Sequence, residues 1–261
     1  MKEFVLITGA SEGIGLELAK IFAAKKNNLV LVSRNKEKLN RVAKELSDQF
    51  FIQAVVFVCD LSEVDAYKKV FSFTERNQFF ISTLVNNAGF GLACEFQAST
   101  MKEDTAMLNL NIVTLMQLTK AYLKRMVEHR KGKIMNIAST ASFQPGPYMA
   151  NYYASKAYVL SFSEAISEEV AEYGITVTAV CPGPTKSEFA SRAKMGSSLL
   201  LKKGIIMSAE DVARIGYEAL MNGEVVKITG VLNSILAFSV RFTPRSIIRK
   251  IIKKINQVRK A

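Results

Sequence analysis

The sequence reads as an α/β protein with a doubly wound parallel sheet, one domain over residues 1–240 followed by a basic amphipathic extension over 241–261. Three observations carry this reading. Short apolar runs alternate with helical patterns along almost the whole chain, as repeated strand–helix–strand units require. The runs Leu29 to Val32 and Ala54 to Val58 are apolar without interruption, as strands covered on both faces must be. A glycine-rich turn, Thr8-Gly9-Ala10-Ser11-Glu12-Gly13-Ile14-Gly15, follows the first run and opens the first helical pattern. No repeat, low-complexity tract or linker marks a second domain.

In chain order, Glu3-Phe4-Val5-Leu6-Ile7 predicts a strand over 3–8. Ile14, Leu18, Ile21 and Phe22 then recur at helical spacing, giving a helix over 13–26. Glycines between the two permit a tight turn and let the backbone approach a pyrophosphate at the helix N-terminus. A strand at 28–33 ends in Ser33-Arg34-Asn35 and leads to a helix at 36–48. A strand at 52–58 runs into Asp60-Leu61 and a helix at 62–78, and a strand at 81–86 runs into Asn86-Asn87-Ala88-Gly89. One long helix is expected over 100–129, holding Asn109 and Asn111. A strand at 132–138 stops at Ser139, and a helix follows at 151–173. A strand at 174–180 leads to Pro182-Gly183, and a helix at 209–222 and a strand at 225–229 close the pattern. The segment 185–204, with Lys186, Arg192, Lys194 and Gly196, breaks the alternation. It is expected to be a mobile lid over a substrate, with a plain one-helix insertion as the rival. Phe143, Pro145, Tyr148, Phe189 and Leu199 to Leu201 suggest apolar pocket walls.

Composition excludes several classes. Hydrophobic residues make up 49% of 261, ample for a core. No stretch is long and uncharged enough to span a bilayer, and the N-terminus enters a strand without the pattern of a signal peptide. Cys59, Cys94 and Cys181 are odd in number and far apart, which points to a reducing, cytoplasmic compartment rather than a disulfide framework. The single histidine, His129, has no Cys/His cluster around it, so no metal site is expected.

Tyr152 stands four residues before Lys156 in Asn151-Tyr152-Tyr153-Ala154-Ser155-Lys156. On a helix those two side chains share a face, one turn apart. A nearby cation favours the phenolate and brings the tyrosine towards the working range of a general acid. Tyr153 is the rival, but it stands only three residues before Lys156 and reads as packing.

These blocks resemble, in order and spacing, the short-chain dehydrogenase/reductases of about this length, from residue 3 to about residue 230. The resemblance implies a Rossmann-type fold, a homo-dimer or homo-tetramer, and hydride transfer between a nicotinamide and a carbonyl/alcohol pair. Tyr152 would exchange the proton on oxygen. Lys156 would lower the pKa of Tyr152 and hydrogen-bond the nicotinamide ribose. Ser139 would hold the carbonyl oxygen against developing charge. Asn111 would hold a water linking Lys156 to solvent. Asn109 is its rival by type, and a satisfied amide at a helix kink is the plain reading of Asn111. The catalytic set is thus Asn111, Ser139, Tyr152 and Lys156. The cofactor set is Gly9, Ser11, Gly13, Ile14, Gly15, Arg34, Asp60, Leu61, Asn87, Ala88, Gly89, Tyr152, Lys156, Pro182, Gly183 and Thr185. Asp60 resembles the family's adenine-binding acid, and Asp60-Leu61 equally fits a helix N-cap.

Cofactor choice follows from the second strand. An NAD site places an acid about 20 residues beyond the glycine turn, on the ribose hydroxyl. Here Arg34 stands in that region, and a guanidinium suits a 2′-phosphate. The expected cofactor is NADP(H), with Ser33 and Lys38 assisting Arg34. Glu12 departs from the basic residue many NADP-using relatives carry in the turn. NAD-linked oxidation of a lipid-like alcohol is one alternative. A nucleotide-sensing protein without turnover is another.

Residues 241–261 hold eight Lys/Arg and no acid, two thirds of the net charge of +12. Ile247, Ile248, Ile251, Ile252, Ile255 and Val258 read as one stripe, with Arg249, Lys250, Lys253, Lys254 and Lys260 opposite. Residues 245–260 therefore fit peripheral contact with an anionic membrane, with docking on the body or a partner subunit as the alternative. All catalytic candidates lie upstream, so the extension is expected to be dispensable for chemistry. The apolar run Val231 to Val240 is expected to line a substrate pocket, and no nucleic-acid partner is expected.

Overall fold

Side-chain alternation along the first strand divides the core into two layers. Val5 and Ile7 pack into one buried cluster, Phe4 and Leu6 into another. Leu29 and Leu31 then join the first cluster and Val30 and Val32 the second. That is the two-residue period of a sheet covered on both faces.

The computed structural model of the protein describes residues 2–186, 188, 189, 193 and 206–257. Its first half runs β1 (Lys2–Thr8), α1 (Gly13–Ala24), β2 (Asn28–Ser33), α2 (Lys36–Phe50), β3 (Ala54–Val58), α3 (Ala66–Arg76) and β4 (Phe79–Asn86). There follow α4 (Met101–Leu108), a π-helical segment (Asn109–Thr114), α5 (Leu115–His129), β5 (Gly132–Ile137), α6 (Ala150–Val170) and β6 (Ile175–Cys181). The described chain closes with β7 (Thr185–Lys186), β8 (Met207–Ser208), α7 (Ala209–Asn222), β9 (Val226–Ile228), α8 (Val231–Ser239) and α9 (Arg245–Asn256).

Seven strands form one parallel sheet in the order β3-β2-β1-β4-β5-β6-β9. Residues of α1, α2 and α7 fill one core cluster; those of α3, α5 and α6 fill the other. This is a single-domain Rossmann-type fold. Strand order reverses between β1 and β4, which opens a crevice at their C-terminal ends. The glycine turn and the Asn87–Gly89 loop both leave the sheet there. Behind them, the Asn86 amide donates to Thr119 Oγ1 (3.0 Å) and Asn136 Oδ1 (2.9 Å), and Asn136 donates to Ser163 Oγ (2.9 Å). This buried chain ties β4, β5, α5 and α6 together.

Three expectations need correction. The helix expected over 100–129 is not uniform, because one wider turn at 109–114 separates α4 from α5. Thr114 Oγ1 donates to the Leu61 carbonyl (2.8 Å) and Asn111 bonds to Phe90, so tertiary contacts hold the π turn. The run 231–240 is the helix α8 and its exit, and none of it lines the main cavity. The isoleucines of the extension do not form one stripe. Ile248 and Asn256 of α9 are buried, whereas Ile247 and Ile251 are about half exposed.

Candidate active site

One cavity of about 300 Å³ lies over the crevice. Every expected cofactor residue lines it except Gly15, and so do Ser139, Tyr152 and Lys156. The glycine turn is shaped to hold a polyanion. Gly9 (φ +67°) and Gly13 (φ +57°) adopt left-handed backbone that a side chain would strain. Gly15 is a packing residue beneath them, since a Cβ there would lie 2.4 Å from the Gly9 carbonyl oxygen. Glu12 makes no side-chain cap on α1, and Gly13 and Ile14, at the positive end of that helix's dipole, line the cavity. Thr8, which sequence reading passed over, fixes this floor. Its Oγ1 accepts from the amides of Asn87 (2.9 Å) and Ala88 (3.0 Å) and donates to the Val85 carbonyl. Asn87 Nδ2 in turn donates to the Thr8 and Gly9 carbonyls. These residues fit the pyrophosphate of a dinucleotide.

At the outer end Arg34 Nη1 stands 3.6 Å from Asp60 Oδ2. Ser11 and Ser33 share a hydrogen bond of 2.9 Å. Burial pushes the Asp60 carboxyl up, but bonds from Ser62 and the charge of Arg34 outweigh it and hold the acid low. Asp60 caps the turn at Ser62, not a helix, because α3 starts only at Ala66. Lys38 does not reach towards Arg34 as an assistant. It pairs with Glu12 Oε2 (2.8 Å) and Glu188 Oε1 (3.2 Å).

At the inner end, α6 puts Tyr152 and Lys156 on one buried face. Lys156 Nζ lies 5.9 Å from the Tyr152 ring centre and donates to the Ile137 carbonyl (2.7 Å). Ser139 stands near the Tyr152 phenol and favours its ionised form, while Ser139 Oγ donates to the Pro182 carbonyl (3.3 Å) and accepts from the Ala141 amide (3.1 Å). The lysine does not bring the phenol down as expected. Burial pushes Tyr152 up to about 12, against the opposing effect of Ser139. Burial likewise pushes Lys156 down to about 8. Desolvation dominates a pair this deeply enclosed.

Asn111 lies behind the cavity wall. Its Nδ2 donates to the Phe90 carbonyl (3.0 Å) and Ser155 Oγ (3.1 Å), and its Oδ1 accepts from the Phe90 amide (3.2 Å). A Cβ at Gly89 would sit 3.0 Å from Asn111 Oδ1 and 3.6 Å from Lys156 Nζ, so glycine lets the three converge. Asn109 points elsewhere, donating to the Ser62 carbonyl at 3.4 Å.

The substrate side is apolar. Phe90, Met149, Phe189 and Ile252 line it beside Tyr152, and the Phe189 ring lies 5.3 Å from that of Tyr152. Phe143, Pro145 and Tyr148 do not line the cavity. Leu199 to Leu201, and most of the segment expected as a lid, lie outside the described residues. Ile252 belongs to α9, so the extension builds part of the wall and is not separate from the site. Asn256 on the same helix accepts from the Tyr153 hydroxyl (3.2 Å) and donates to the Pro147 carbonyl (3.1 Å). Tyr153 is buried in the same cluster and also lines the cavity, and its hydroxyl meets a helix that the sequence had placed outside the body.

Comparison with known proteins defines the class. A family model described as short chain dehydrogenase matches residues 3–196. The chain belongs to the short-chain dehydrogenase/reductase family and is an oxidoreductase. A very-long-chain 3-oxoacyl-CoA reductase of Anas platyrhynchos is 32% identical over 225 residues, 84% of this chain and 71% of that one. A structure described for 7beta-hydroxysteroid dehydrogenase stereoselectivity superposes with a TM-score of 0.87 at 25% identity, covering 96% of each chain. The short-chain dehydrogenase from Sphingobium yanoikuyae in complex with NADPH gives 0.82 at 29%, covering 100% of this chain and 99% of that one.

Proposed function

We propose that this protein is an NADP(H)-dependent reductase of a carbonyl on an apolar, lipid-like substrate. The carrying observation is one cavity with a glycine-floored end, where Arg34 stands, and an apolar end where Ser139, Tyr152 and Lys156 meet. A bound NADPH supplies the hydride to the carbonyl carbon. Tyr152 gives its phenolic proton to the carbonyl oxygen, and the buried phenol is protonated at neutral pH. Ser139 steadies the developing negative charge on that oxygen. Lys156 holds the nicotinamide ribose and returns a proton to Tyr152, and a water held beside Asn111 would link Lys156 to solvent. Gly9, Ser11, Gly13 and Ile14 take the pyrophosphate. Asp60 and Leu61 take the adenine, Arg34 the 2′-phosphate, and Asn87, Ala88, Gly89, Pro182, Gly183 and Thr185 the nicotinamide half. Gly15 supports the turn from below. The resemblance to a very-long-chain 3-oxoacyl-CoA reductase and to a dehydrogenase bound to NADPH supports both substrate class and cofactor.

NAD-linked oxidation remains the second reading, favoured by Glu12 in the turn and by the existing Arg34–Asp60 pair. The family resemblance suggests a homo-dimer or homo-tetramer, and the three scattered cysteines a reducing, cytoplasmic compartment. The test is cofactor oxidation with NADPH and NADH against aldehydes, ketones, steroids and 3-oxoacyl thioesters of graded chain length. Faster turnover with NADPH, and kcat/KM rising with chain length, is the expected result. Preference for NADH, or no turnover with any carbonyl, overturns the reading.

A further inference from the structure

The last acid of the chain is Glu224, and nine Lys/Arg follow it. In that stretch the structure also exposes unusual apolar surface. On α8, Val231, Ile235, Leu236 and Phe238 are exposed, whereas Ala237 is buried. The turn after α8 shows Phe242, 75% exposed, with its ring 5.2 Å from Phe238 and the Arg241 guanidinium 5.8 Å above Phe238. On α9 the two sides differ. Ile248, Ile252 and Asn256 meet the body, while Ile247 and Ile251 stand out among Arg245, Arg249, Lys250, Lys253 and Lys254. Isolated exposed apolar residues need no explanation, but a run of this density marks an interaction surface.

We propose that the exposed apolar residues of α8, of the turn after it and of the outer side of α9 dock on an anionic lipid bilayer. The apolar side chains enter the headgroup boundary while the arginines and lysines meet lipid phosphates. The charge decides between this occupant and a second copy of the chain. An isologous contact sets one patch against itself, and here it would oppose cations to cations, with no acid from residue 225 to the end. Docking also brings the substrate cavity to the lipid. Ile252 lines that cavity on the same helix whose other side carries Ile251, so a single helix separates membrane from substrate. The inference stands apart from the proposed reaction and does not depend on it.

The test uses the full chain with vesicles of phosphatidylcholine alone and of phosphatidylcholine mixed with phosphatidylglycerol. Partition onto the mixed vesicles should exceed that onto neutral ones by about tenfold or more and fall as salt rises. The surface variant Ile247→Ser/Ile251→Ser should lose about tenfold in partition, from lost apolar burial, at unchanged melting temperature. Lys250→Gln/Lys254→Gln should reduce the anionic preference and keep the fold if the isoleucine pair disturbs it. Equal partition onto both vesicles, or none, overturns the proposal. So does an isoleucine variant that turns an oligomer into a monomer in sedimentation velocity with vesicle binding intact, since a second copy then covers the face.

Discussion

Burial disfavours the charged form of both Tyr152 and Lys156, and so moves their pKa values in opposite directions. It keeps the phenol protonated up to about pH 12 and draws the lysine down to about 8. The phenol is therefore a ready proton donor for reduction, and Tyr152→Phe, which keeps the ring, should lower reductive kcat by roughly 10²–10⁴ fold. Stopped-flow turnover beside NADPH titration checks this, because cofactor affinity should change little. The lysine makes a prediction about stability. Below pH 8 both folded and unfolded chains carry its proton, so the penalty of burying the charge is fully present; at about 1.4 kcal/mol per unit of pKa it amounts to about 3 kcal/mol. Between pH 8 and the ordinary value of 10.5 only the unfolded chain keeps the proton, so stability rises with pH. Urea unfolding of wild type and Lys156→Met at pH 7 and pH 10 should show the difference moving in favour of wild type at the higher pH. A difference independent of pH means that Lys156 is not desolvated. Arg34→Asp should weaken NADPH relative to NADH by about ten- to a hundredfold, the worth of a charge-assisted hydrogen bond. Steady-state kinetics with both cofactors reads that ratio.

The most informative element is α9. A basic amphipathic pattern names a helix and its period, but not which of two neighbouring isoleucine rows turns inward. Ile252 packs beside Met149, Tyr152 and Tyr153, Ile248 one turn earlier is buried, and Asn256 latches the helix end to Tyr153 and Pro147. Glycine at 146 gives the Tyr153 ring its place, since a Cβ there would lie 2.2 Å from it. Asn256→Ala leaves the Pro147 carbonyl and the Tyr153 hydroxyl without their partner. It should destabilise the protein by about 2 kcal/mol and raise KM for the substrate more than it lowers kcat. Thermal unfolding and substrate kinetics read the two effects separately. The π turn at Asn111 is of the same kind. Sequence periodicity places a helix there, and only the bonds to Phe90, Ser155 and Leu61 select the wider turn.

At the scale of the whole molecule, a chain ending at Phe242 removes Ile248, Ile252 and Asn256 from the body. It should melt lower and lose affinity for an apolar substrate. Differential scanning calorimetry and KM for a long-chain carbonyl test this, and unchanged values of both would restore the view that the extension is a separate tail. The sequence by itself determined the parallel sheet, the glycine floor, the Tyr152–Lys156 pair and the arginine at the end of the second strand. Each of these is local: a period of two or of 3.6, a turn that tolerates only glycine, two side chains one helical turn apart. Only the tertiary structure decided the rest. It showed that burial, not the neighbouring cation, governs the Tyr152 phenol. It showed that Thr8 braces the Asn87–Gly89 loop, which leaves the neighbouring strand. It showed that Lys38 is engaged by two carboxylates distant in sequence, and that one face of the basic helix walls the site. Burial and contact between residues far apart in the chain depend on the packed whole, and no local pattern encodes them.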